Sequence, residues 1–109
     1  LNYYLFNGNV DLRKGIFRLC ESIREEMSLD PSDASNVYMF MSRNRKVVKI
    51  LHYERGFYVL YEKRPVMGKF KKPVFDEVSR CYRIQWSDMA YLTESIVVDK
   101  MYVSPKGQY

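Results

Sequence analysis

The sequence predicts an α+β fold, an antiparallel or mixed sheet of four to six strands with two helices packed against it. Three observations carry this. Apolar residues between Asp11 and Met27 recur at spacings of three and four, which gathers them on one helical face. Two runs rich in Val, Ile, Leu and Tyr, Lys46 to Tyr53 and Phe57 to Lys63, flank the short segment Glu54-Arg55-Gly56, as in a β-hairpin. Tyr82, Ile84 and Trp86 alternate with Arg83 and Gln85, the period of a half-buried strand.

The elements follow in order. Asn2 to Phe6 is a first strand, ended by the turn-forming triplet Asn7-Gly8-Asn9. The helix from Asp11 to about Met27 gathers Leu12, Ile16, Leu19, Cys20, Ile23 and Met27, with Asp11 placed to accept the free amides of its first turn. Asp30-Pro31-Ser32-Asp33 closes the helical region, because proline restricts its predecessor and has no amide donor. Val37 to Met41 is a continuous apolar run suited to a central strand covered on both faces. If Arg55-Gly56 is a two-residue loop, Tyr53 faces Tyr58, Leu51 faces Leu60 and Lys49 faces Glu62, so an opposite-charge pair lines up with apolar ones. Residues 65–79 read as a long loop. A second helix follows the strand at 82–86, with Ser87 as N-cap, Asp88 at its positive end, Trp86 and Tyr91 as a staple, and Met89, Leu92 and Ile96 inward. Val97 to Val103 reads as a last strand.

A chain of 109 residues suits one domain, taken as residues 1–103, with 104–109 as a flexible tail. No apolar run approaches the roughly 20 residues needed to span a bilayer, so a cytoplasmic protein is expected. Cys20 and Cys81 lie too far apart in sequence for paired zinc ligands and read as buried thiols; neither a metal nor a cofactor is expected. His52, the single histidine, sits in mid-strand, a poor position for a catalytic base. There is no phosphate-cradling glycine motif, and the acids read mostly as helix-surface or turn residues. No enzyme is expected.

Charge is the informative feature. Residues 43–72 hold ten cations (Arg43, Arg45, Lys46, Lys49, Arg55, Lys63, Arg64, Lys69, Lys71 and Lys72) against Glu54 and Glu62, a local +8 within a chain of +5. Clustered Lys and Arg suit phosphates and interleaved aromatics suit unpaired bases, so nucleic acid is the expected partner. The competing reading is an edge strand kept soluble by its charges. In an antiparallel pair Lys46 lies near Arg64, so the cations gather at the open end of the hairpin. Arg13 and Lys14, in the first turn of a helix, oppose its dipole; either an anion is bound there or the side chains are simply solvated. The DNA-contacting set expected is Arg13, Lys14, Arg43, Arg45, Lys46, Lys63, Arg64 and Lys69. Tyr53, Tyr58 and Tyr61 are the anchors of the alternative, a module that binds protein and not DNA.

Asp11-Leu12-Arg13-Lys14-Gly15, Val37-Tyr38-Met39-Phe40, Arg43, Arg45, Lys49-Ile50-Leu51-His52-Tyr53-Glu54, Gly56-Phe57, Tyr61, Lys63-Arg64 and Gly68-Lys69-Phe70, in that order, resemble the accessory protein of the insertion-sequence 66 family, the TnpB-type product of its second open reading frame. The resemblance runs from about residue 5 to residue 96 and departs at Pro65-Val66-Met67. It implies a bacterial mobile-element protein that acts beside a larger transposase, which holds the catalytic carboxylates. DNA and that transposase are the partners it implies.

Overall fold

The computed structural model describes residues 1–6, 11–13, 15–75 and 79–97. Its elements are β1 (Asn2–Phe6), α1 (Ile16–Met27), β2 (Asn36–Met41), β3 (Val48–Glu54), β4 (Phe57–Lys63), β5 (Lys69–Phe70), β6 (Cys81–Ile84), α2 (Trp86–Glu94) and β7 (Ile96–Val97). Five strands form one sheet in the order β4-β3-β2-β1-β6. Among the described residues only β1 and β2 run parallel, joined through the α1 crossover, so the sheet is mixed. The fold is α+β as expected.

β2 lies at the centre, and all six of its residues are buried. Alternation along the strands divides the core in two. Tyr38, Phe40, Phe6 and Leu51 meet Leu19, Cys20 and Ile23 of α1 on one face. Val37, Met39, Met41, Leu5 and Val48 meet Met89 and Leu92 of α2, with Phe70, on the other. The Phe6 and Phe40 rings stack with centroids 4.6 Å apart. The buried Tyr38 hydroxyl donates to the Asp30 carbonyl and accepts from Asn36 Nδ2, both at 3.1 Å, and burial pushes its pKa up to about 12. Cys20 and Cys81 are free and buried, and burial raises both thiol pKa values, that of Cys81 to about 12.

Several boundaries differ from expectation. α1 begins at Ile16, with Gly15 as its N-cap, because the Asp11 carboxylate is taken by Arg13 and not by helix amides. Arg13 therefore precedes the helix, and the expected opposition to its dipole does not arise from this residue. The helix ends where Ser28 turns left-handed and its amide donates to the Arg24 carbonyl, ahead of the proline turn. α2 is capped at Gln85, whose amide donates to Asp88 Oδ2 at 3.1 Å, so Ser87 lies inside the helix. Trp86 opens α2, and it and Tyr91 are exposed, so they form no buried staple.

Within the expected 65–79 loop, β5 pairs antiparallel with β7 as a separate ribbon. Ile96 thus belongs to a strand and is exposed, where an inward helical position was expected. The approach of the ribbon demands Gly68: a Cβ there would lie 2.4 Å from the Val97 carbonyl oxygen, and its φ is +79°. The triplet 7–9, the remainder of the last strand and the tail 104–109 lie outside the described residues. Among those residues, no helix is long and apolar enough to cross a membrane.

Candidate nucleic-acid interface

The β3–β4 hairpin has the expected register, with Tyr53 opposite Tyr58, Leu51 opposite Leu60 and Lys49 opposite Glu62. Arg55 and Gly56 both have positive φ, 48° and 85°, which is the type I′ turn that matches strand twist. At the other end the ladder closes at Val48–Lys63. Residues 42–47 there form a tight loop from β2. The Ser42 amide donates to the Val47 carbonyl at 2.9 Å. Ser42 Oγ accepts from the Val47 amide at 3.0 Å, and Asn44 Oδ1 accepts from the Lys46 amide at 3.0 Å. These side chains satisfy the loop's own donors, leaving Arg43 and Lys46 on its exposed surface. Arg45, left-handed at φ 59°, turns its carbonyl to the Phe70 amide at 2.7 Å and ties the loop to β5.

Residues 11–13 are brought to the same place by Lys49. The residue is 9% exposed, and its ammonium donates to the Leu12 carbonyl while lying 3.6 Å from Glu62 Oε1. A buried ammonium needs such partners. Asp11 accepts from the Arg13 guanidinium through both oxygens, at 3.0 and 3.1 Å, and this raises the arginine pKa. Arg64 donates to Glu62 at 2.8 Å; that bond, with Lys49 beyond it, lowers the Glu62 pKa.

The outcome is an open cleft of about 490 Å³ lined by Asp11, Leu12, Arg13, Ser42, Arg43, Asn44, Val47 and Arg64. Three guanidinium-bearing residues from three separate chain segments share it. Asp11 and Glu62 each engage one of these arginines, and the Arg13 and Arg64 side chains remain exposed to solvent. The cleft also marks which of the expected residues converge. Arg13, Arg43 and Arg64 do, and Lys46 and Arg45 belong to the loop that builds its wall. Lys63 does not. It shares the α2 face of β4 with Phe57, Val59 and Tyr61, and its ammonium donates to Glu94 Oε1 at 2.7 Å and to the Thr93 carbonyl at 3.0 Å. Lys69 lies in β5, also on that side. Lys14 lies outside the described residues.

Sequence reasoning missed Lys49 as the tether of residues 11–13; the only signal was its place opposite Glu62. Of the expected protein-binding anchors, Tyr53 and Tyr58 are half-buried and meet edge to face at 5.0 Å, and Tyr58 packs into the α1 side of the core. Tyr61 is exposed, and so is Phe57, which was not foreseen. Its position beside the turn and on the same face as Tyr61 was the available clue. His52 Nε2 lies 3.0 Å from the Ala34 carbonyl oxygen, a strand-to-loop contact. Among the described residues, no group of His, Cys, Asp and Glu side chains is placed to hold a metal ion.

A family model described as IS66 Orf2 like protein matches residues 1–102, nearly the whole chain. No curated protein and no solved structure matches.

Proposed function

Since the chain belongs to the IS66 Orf2-like family, an accessory family of transposition, we propose that it is a non-enzymatic accessory factor that binds DNA backbone through the cleft at the open end of its hairpin. The observation that carries this is the meeting of Arg13, Arg43 and Arg64 on one open surface, flanked by Arg45 and Lys46. A cleft so open suits a continuous polyanion better than an enclosed small molecule. Its contacts go to phosphates, so binding is mostly independent of sequence. The transposase of the same element is the second partner of this reading.

The test is DNA affinity against salt. Each phosphate contact contributes about −0.9 to the slope of log K on log salt, so replacing Arg43, Arg45 and Arg64 by Ala should flatten it by roughly 2 to 3. Unchanged affinity and slope in a folded triple variant would remove the cleft from consideration. A chain that shows no DNA shift at moderate salt but co-elutes with the transposase would instead establish the protein-binding reading.

A further inference from the structure

We infer that the cleft takes single-stranded DNA, and that the Phe17 and Tyr58 rings beside it are the platform on which its unpaired bases stack. The inference rests on the DNA-binding reading of the cleft and adds the form of DNA that enters it. Alternation along β4 places Tyr58, Leu60 and Glu62 on the face covered by α1. On that face Glu62 meets Arg64 and Lys49, and Lys49 holds the Leu12 carbonyl, so the cleft and Tyr58 belong to one surface. Tyr58 and Glu62 are about 14 Å apart along the strand, at roughly 3.4 Å per residue. Residues 13 and 17 are likewise within about 14 Å, the reach of four residues of chain. A short stretch of one strand therefore reaches both the rings and the arginines.

Phe17 is the ring that the fold does not use. Leu19, Cys20 and Ile23 carry the inward stripe of α1, and Phe17 falls outside it, 75% exposed. Its ring meets Tyr58 edge to face with centroids 6.3 Å apart, and Tyr58 meets Tyr53 the same way at 5.0 Å. A single exposed phenylalanine needs no explanation. Three contiguous rings at the margin of an arginine cleft, the outermost of them bare, are a different case, because base stacking needs a π-face within reach of cations that hold the backbone. Those cations keep donors for a phosphate: Arg64 gives Glu62 only its Nε–H, and Arg13 keeps part of its fork beyond the two bonds to Asp11. On the opposite face Phe57 and Tyr61 are also exposed, but the ammonium of Lys63 beside them already donates to both Glu94 and Thr93. Duplex DNA asks only for the arginines, since its bases are stacked on one another; a single strand uses the rings as well. Glu21, exposed one helical turn beyond Phe17, ends the platform and keeps it short.

Fluorescence anisotropy of the full chain with a labelled oligothymidine, and with a duplex of the same length, tests this. The single strand should bind more tightly than the duplex at the same salt. Phe17→Ala should weaken single-strand binding about tenfold while duplex affinity stays within about twofold, and Phe17→Trp should restore it. A ring releases no counterion, so the Phe17→Ala salt slope should match that of the unaltered chain, whereas the arginine replacements flatten it. Phe17 is exposed, so circular dichroism should show an unchanged fold. Equal affinity of the unaltered chain for the two forms, or equal losses on both in Phe17→Ala, overturns the inference and leaves the cleft standing. A Phe17→Ala chain that keeps its single-strand affinity but no longer co-elutes with the transposase also overturns it and makes the ring a protein anchor. Failure of the cleft reads differently: the arginine replacements then leave both affinities unchanged, and the inference falls with it.

Discussion

β2 and β4 lie two places apart in one sheet and are made from similar residues, yet the fold uses them in opposite ways. Asn-Val-Tyr-Met-Phe-Met of β2 is buried throughout, sandwiched by both helices. Phe-Tyr-Val-Leu-Tyr-Glu-Lys of β4 has no fully buried residue. Apolar content therefore does not separate core from surface here; position in the strand order does. Stability resides in the centre of the sheet, and the edge strand contributes no fully buried side chain to it.

The sharpest way to break this contrast is to truncate one aromatic in each strand. Phe40→Ala removes a fully buried ring stacked on Phe6 and should cost about 3–5 kcal/mol in denaturant unfolding. Tyr61→Ala at the exposed edge should cost within about 0.5 kcal/mol. Comparable losses at both positions would show β4 to be part of the core.

Lys49 sits between these extremes. Lys49→Ala leaves the Leu12 carbonyl without its donor and Glu62 with Arg64 alone, so a loss of about 1–3 kcal/mol in the same unfolding measurement is expected. DNA affinity should fall with it, because residues 11–13 lose their tether to the cleft. Retained affinity would mean that the loop is positioned by something else.

The smallest expected effect concerns acid. Arg64 and Lys49 hold the Glu62 pKa below its usual value, so the folded state gains stability that is fully present above the unfolded pKa near 4.5 and is lost as pH falls through the lower, folded value. Because Glu62 is solvent-exposed, the gain is small. Arg64→Ala should move the Glu62 carboxyl titration, followed by NMR, upward toward its ordinary value. An unmoved titration would show that Lys49 alone sets it.

The hairpin was legible to the residue because a two-residue turn fixes strand parity, and parity fixes every facing pair down to Lys49–Glu62. The start of α1 was not legible. Asp11 is a good cap by type, and only the local competition from Arg13 diverts it. β5 was also hidden, since two residues carry no periodicity and Lys69-Phe70 becomes a strand only through its distant partners Val97 and Ile96. The candidate site was legible in part. The charge cluster at the open end was visible in the sequence, but Lys63 points to the other face, which the same parity rule would have revealed from Phe57 and Tyr61.

The turn at Arg55-Gly56 has a consequence at the far end of the hairpin. A two-residue turn fixes the parity of β4, so Glu62 falls on the face that holds Lys49 and the Leu12 carbonyl, and Lys63 on the face that meets Glu94. One residue more in the turn would exchange the two, carrying a cation to the tether of residues 11–13 and an acid toward Glu94.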